Sequence, residues 1–190
     1  MTAQQSDKII YKGIECDLHT NPMEYYFTQY PDKRPHKDIY CTGLWRGYVA
    51  VFEIEDSQIY LKDIKVMTGD FNTDYINLTK GWKSVINEVF PNQEHIKLDW
   101  FSGTLVLPSG ELVNYVHMGY ASTYEHYILL DIENGDLKSE KQIGHEEYNA
   151  FREQQFQEAF KKSDEYENMK TDLQIDDDFM ETVMRRLGIE

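Results

Sequence analysis

Residues 45–67, Trp45-Arg46-Gly47-Tyr48-Val49-Ala50-Val51-Phe52-Glu53-Ile54-Glu55-Asp56-Ser57-Gln58-Ile59-Tyr60-Leu61-Lys62-Asp63-Ile64-Lys65-Val66-Met67, decide the fold class. Tyr48, Ala50, Phe52 and Ile54 recur with period two, opposite Glu53 and Glu55, which is the pattern of a strand with one buried face. Glu55-Asp56-Ser57-Gln58 supplies a turn, and Ile59 to Met67 returns as a second strand. The apolar phase of that return strand changes between Ile59/Leu61 and Ile64/Val66. A single extra residue moves a strand's side chains to the other face, so the change predicts a bulge or twist near Lys62-Asp63.

Outward from this hairpin the same signals recur. Ile9–Leu18 reads as an opening strand, followed by a long loop from His19 to Gly43 that holds Pro22, Pro31, Pro35 and the aromatics Tyr25, Tyr26, Phe27 and Tyr30. Trp82–Phe90 has apolar residues at helical spacing and stops at Pro91. Ile96–Phe101, Thr104–Leu107 and Leu112–Met118 read as strands, with Pro108-Ser109-Gly110 as a turn. Tyr124–Ile132 and Leu137–Ile143 form a hairpin across Asn134-Gly135, the strongest short hairpin signal in the chain. At His145 the composition shifts: the last 46 residues carry 13 acidic and 6 basic side chains. An apolar stripe of Tyr148, Phe151, Phe156, Ala159 and Phe160 predicts a helix over 145–162. Asp176-Asp177-Asp178 then caps a second amphipathic helix that buries Phe179, Met180, Val183, Met184 and Leu187.

The expectation is an α+β protein. A mainly antiparallel twisted sheet or open barrel occupies 1–144 with one short internal helix, and 145–190 forms an acidic extension of two helices packing on the same domain.

Composition narrows the function. A chain of 190 residues with 26 Phe, Trp and Tyr side chains can bury a core without staples. Its formal net charge of −15 disfavours nucleic-acid phosphates and anionic membrane surfaces as partners, since both require clustered Lys and Arg. Two cysteines, Cys16 and Cys41, and a start without a charged and apolar leader pattern point to free thiols and a cytoplasmic location. No stretch has the run of apolar residues needed to span a bilayer.

Motifs for chemistry are sparse. Neither a Walker-type loop nor G-x-G-x-x-G nor G-x-S-x-G occurs, and neither Cys lies in a motif that activates a thiol. Asp70-Phe71-Asn72-Thr73-Asp74 opens like an EF-hand loop but has Tyr75 and Gly81 where that loop needs Gly and Glu. His117 and His126 are nine residues apart, which is no metal-ligand spacing, so no metal and no cofactor is expected. Two readings compete at the residues that remain. In one, Arg46, Tyr48, Asp99, Trp100, His117 and Tyr120 build a recognition surface, because Trp, Arg and Tyr beside glycine are the side chains that anchor interfaces or stack on sugars. In the other, Trp45, Trp100 and Phe101 are core. A catalytic alternative uses His117 as general base with Tyr120 and Asp99 beside it, in a pocket on the sheet face.

The ordered segments Trp45-Arg46-Gly47-Tyr48, Asp99-Trp100-Phe101-Ser102-Gly103-Thr104-Leu105 and Tyr115-Val116-His117-Met118-Gly119-Tyr120 resemble a group of uncharacterised bacterial proteins that share W-R-G-Y, D-W-F-x-G-x-L and Y-V-H-M-G-Y over about residues 45–135. The resemblance implies a bacterial β-rich module and carries no activity or functional residue. Taken together, the sequence points to a non-enzymatic, acidic protein-binding module that meets a basic protein, as an inhibitor or immunity-type protein would. The alternative is a small-ligand-binding protein or hydrolase-like enzyme with its pocket around His117.

Overall fold

The tight turns set the architecture. In Lys12-Gly13, Asp56-Ser57 and Asn134-Gly135 both central residues have positive φ, between 48° and 78°. That is the twist-matched turn of a two-residue hairpin. They connect β1 (Asp7–Tyr11) to β2 (Ile14–Leu18), β3 (Tyr48–Glu55) to β4 (Gln58–Thr68), and β8 (Thr123–Glu133) to β9 (Asp136–Gly144). The chain is described by a computed structural model over residues 2–37, 39–68, 81–163, 166 and 168. Its contacts divide it into two compact units, Met1–Ile143 and Gly144–Glu190.

The first unit is an open, twisted sheet in the order β2-β1-β3-β4-β9-β8-β7, where β7 is Gly103–Asn114. The pairs β1–β2, β3–β4 and β7–β8 are antiparallel, and β1 with β3 is parallel. Two short strands, β5 (Gly81–Ser84) and β6 (Ile96–Lys97), pair with β4. The sheet does not close into a barrel, although its edges approach: the His19 N–H, one residue past β2, donates to Val106 O of β7 at 2.8 Å. The two central turns dock on one another, with Ile59 N–H donating to Gly135 O at 2.9 Å and Leu137 N–H to Ser57 O at 2.8 Å. Gly135 is required there: a β-carbon at this residue would lie 2.8 Å from Leu98 O.

The expected α+β class and antiparallel open sheet are what the structure shows. The bulge predicted near Lys62-Asp63 is present, since Val51 pairs with Asp63 and Phe52 with Leu61, leaving Lys62 as the extra residue. Tyr48, Ala50 and Phe52 do share the buried face and join Ile9, Leu18, Ile59, Leu61, Leu105 and Leu130 in the main core. Val49 points the other way into a small cluster with Leu44 and Met67.

Several local readings are corrected. Ile9–Leu18 is a hairpin turned by Lys12-Gly13. The supposed loop 19–43 contains α1 (Pro22–Gln29) and a 3-10 turn at Pro31–Lys33. Pro22 starts α1 because the first helical position has no N–H partner to lose, and Met23 and Phe27 are buried. Trp82–Phe90 is strand β5 followed by one helical turn, α2 (Ile86–Val89). Trp82 is exposed, while Val85, Val89 and Phe90 enter the core. Pro108-Ser109-Gly110 is no turn but lies inside the single strand β7: Pro108 and Ser109 pair with Tyr127 and His126, and the bulge follows between Ser109 and Leu112. Proline is tolerated there because β7 is an edge strand, and Gly110 absorbs the irregularity with φ +78°. Trp45 is no core residue, being 70% exposed.

In the second unit, α3 (His145–Lys161) begins with Glu146 and Glu147 and ends with Lys161, as the helix dipole favours. Phe156 stacks on Phe160, whose ring meets Tyr166 edge-on. Phe156 and Ala159 are nevertheless exposed, so the expected buried stripe is not continuous. The expected second helix at 176–188 and the Asp70–Asp74 segment lie outside the described residues. No helix among the described residues is long and apolar enough to cross a membrane.

Candidate functional site

The N-terminal segment runs beside Gly119 and Gly43 and draws distant stretches together. Gln4 N–H donates to Gly119 O at 3.0 Å and Gln5 N–H to Gly43 O at 2.8 Å. Next in line, Asp7 lies in phase with Ile9 and Tyr11 on β1, so the pleat turns its carboxylate inward, where it has no exposure. A buried carboxylate needs partners. Asp7 Oδ1 accepts from Arg46 Nη2 and from Ala50 N–H, both at 2.8 Å. Arg46, its side chain only 7% exposed, also donates to Gln5 O at 2.8 Å and, through Nη1, to the Tyr120 hydroxyl at 2.9 Å. The Tyr120 hydroxyl in turn donates a hydrogen bond to Asn21 Oδ1 at 2.9 Å, and its ring stacks flat on His19, with ring centroids 4.8 Å apart.

Beside this chain, the Tyr48 hydroxyl donates to Glu24 Oε1 at 2.7 Å, and Arg34 grips the Glu24 carboxylate with two bonds of 3.0 and 2.7 Å. Arg46 lies 5.6 Å from the Tyr48 ring. Gln4, Asn21, Glu24, Arg34, Trp45, Arg46 and Tyr120 line a cleft of about 390 Å³. A neighbouring apolar hollow of about 330 Å³ shares Trp45 and is lined by Lys37, Tyr40, Cys41, Thr42 and Leu44. Lys37 fills part of that rim, with Nζ 4.8 Å from the Tyr40 ring centroid and 3.1 Å from Trp45 O.

Electrostatics follow from burial. Desolvation pushes the Asp7 carboxyl up to about 6, against the pull of Arg46 and the Ala50 N–H. Desolvation also works against the charge of Arg46, yet Asp7, Tyr120 and Tyr48 hold its pKa above the ordinary value. Partial burial opposes ionisation of Glu24, but the hydrogen bonds from Arg34 and Tyr48 keep its pKa lowered. Tyr48 and Tyr120 are both raised, first by desolvation. Two cations and two carboxylates thus compensate one another within the cleft and its floor.

Of the six residues singled out from the sequence, the structure brings together Arg46, Tyr48 and Tyr120. It separates the others from them. Trp100 stacks on Phe90 and contacts Tyr26, packed against the main core, with its Nε1 lacking a partner among the described residues. Asp99 is exposed in the turn after β6. His117 is exposed in the segment following β7, where Nδ1 meets the Tyr115 hydroxyl at 2.8 Å. It is not among the residues lining the cleft, and no described contact joins His117, Tyr120 and Asp99. Asp7, Asn21, Glu24 and Arg34 were not anticipated. Asp7 alone carried a signal, an acid in phase with buried Ile9 and Tyr11.

A second feature lies at the far end of β7. Leu112, Val113, Tyr115 and Met118 are each 45–61% exposed, close together in sequence on an arm that Gly110 and Glu125 brace through Glu111 N–H···Glu125 Oε2 at 3.0 Å. Among the described residues no group of three His, Cys, Asp or Glu side chains converges as a metal site requires. Comparison with protein-family models, curated proteins and solved structures finds no match to this chain.

Proposed function

We propose that the chain is a non-enzymatic recognition module that binds a basic protein, in the manner of a bacterial inhibitor or immunity-type protein acting in the cytoplasm. The observation that carries this reading is the exposed apolar arm of Leu112, Val113, Tyr115 and Met118 on a chain of net charge −15. Large apolar side chains left exposed within one short segment are what a partner can cover, and a surplus of one charge steers a partner of the other sign. Exposed Glu146, Glu147, Glu153 and Glu158 on α3 contribute to that field. The test is capture from the native host by tagged protein at low and physiological salt, followed by native mass spectrometry. A stoichiometric basic protein should be released by salt. Replacing the four α3 glutamates by Gln should slow its association, while Leu112→Ser with Met118→Ser should speed its dissociation. A complex indifferent to salt and to both variants refutes the proposal.

A second reading is favoured by the cleft itself: its volume falls within the usual range for small-molecule sites of about 300–1,000 Å³.

A further inference from the structure

We infer that the cleft beneath Trp45 is a binding site for an uncharged, polyhydroxylated ring, a pyranose unit of a saccharide. The inference rests on the second reading above, that the cleft takes a small ligand, and supplies its chemical class. Three observations lead to it.

The first is charge. Asp7 is neutralised by Arg46, and Glu24 by Arg34, so a charged ligand finds no uncompensated opposite charge among the residues described around the cleft. A cation facing the carboxylates would compete with Arg34 or Arg46 for them, and an anion facing the guanidiniums would sit beside Glu24. A neutral ligand does neither.

The second is the hydrogen-bonding capacity left over. Planar side chains line the site: the Asn21 amide, the Gln4 amide, the Glu24 carboxylate and two guanidinium groups. Asn21 Oδ1 is taken by Tyr120, while its Nδ2 has no partner among the described residues. Glu24 retains acceptor lone pairs beyond its three bonds. Donors and acceptors therefore both remain, and a hydroxyl is the group that answers to both.

The third is Trp45. An indole 70% exposed at the rim presents an apolar face that water leaves poorly satisfied. The backbone that carries it is held, because Gln4 Oε1 accepts the Trp45 main-chain N–H at 3.0 Å while Gln4 Nε2 is anchored on Thr2 O and Thr42 O. A pyranose has this dual character, with axial C–H bonds on one face to lie on the indole and a rim of equatorial hydroxyls to reach Asn21 and Glu24. A flat heteroaromatic ring could stack on Trp45 too, but offers fewer hydroxyls to the polar wall.

Saturation-transfer NMR tests this, with the full-length protein and a panel of methyl glucosides, methyl galactosides, methyl mannosides, N-acetylglucosamine, maltose and cellobiose, and with adenosine and uridine as neutral heteroaromatic controls. At least one saccharide is expected to bind. Trp45→Ala should weaken it about ten-fold and Trp45→Phe less, in line with the worth of one aromatic contact. Asn21→Ala should weaken it as well, with the thermal midpoint of the Trp45 variants unchanged because that side chain is exposed. Binding of a nucleoside but of no saccharide, sensitive to Trp45→Ala, overturns the ligand class and leaves the cleft standing. Saccharide binding that ignores both Trp45 and Asn21 overturns the site. Binding of nothing in the panel overturns the inference and counts equally against a small-ligand role for the cleft.

Discussion

Asp7→Asn should remove one part of the pH dependence of folding. Asp7 is fully buried, and desolvation places its carboxyl at about 6 in the folded chain against 3.8 in the open one. Between those values the folded protein holds a proton that the unfolded chain has already released, so stability falls as pH rises. The contribution is present in full below about pH 4 and gone once pH has passed about 6. Converted at 1.36 kcal/mol per pH unit, the whole window is worth about 3 kcal/mol. The other shifted carboxylates act in the opposite sense. Asp17 and Glu24 are held low by their hydrogen bonds despite partial burial, and they lose stability as pH falls. The total curve therefore mixes signs, and the difference between wild type and Asp7→Asn isolates Asp7. The variant also leaves Arg46 without its anion, a cost that stays constant over the window because arginine remains charged. Urea unfolding at half-unit steps from pH 3.5 to 7.5 should show wild type losing about 3 kcal/mol relative to the variant as pH rises. A flat difference, or one that grows in favour of wild type, would refute the reasoning that desolvation outweighs Arg46 at this carboxyl.

Other substitutions follow from the same geometry. Tyr48→Phe removes a 2.7 Å hydrogen bond to Glu24 from a residue with no exposure, and should lower the unfolding free energy by about 2 kcal/mol while the Arg34–Glu24 fork persists. Gly13→Ala and Gly135→Ala compare two turn glycines with φ of 78° and 76°. Nothing stands near a β-carbon at Gly13, so that change should cost about 1 kcal/mol of backbone strain. At Gly135 the β-carbon meets Leu98 O and the cost should be larger by denaturant midpoint. Equal effects would show that the turn docking is not tight.

The strand pairing at Tyr48–Met67, its Lys62 bulge and the Asn134-Gly135 turn are local matters. Period-two burial, a phase slip and a dipeptide that accepts positive φ are each written in a few adjacent residues, and the sequence alone determined them. Arg46, Tyr48 and Tyr120 were also singled out from the sequence, and the structure brings them together. What only the tertiary structure decided is which distant residues complete them. Asp7, Asn21, Glu24 and Arg34 reach Arg46 because the residues around Gln4 and Gln5 lace Gly43 to Gly119 and because α1 begins at Pro22. His117 and Trp100, equally conspicuous in sequence, were carried elsewhere, one to an exposed arm and the other against Phe90. Chemistry at a single residue type is visible along a chain, but convergence depends on long-range backbone pairing, which no local pattern specifies.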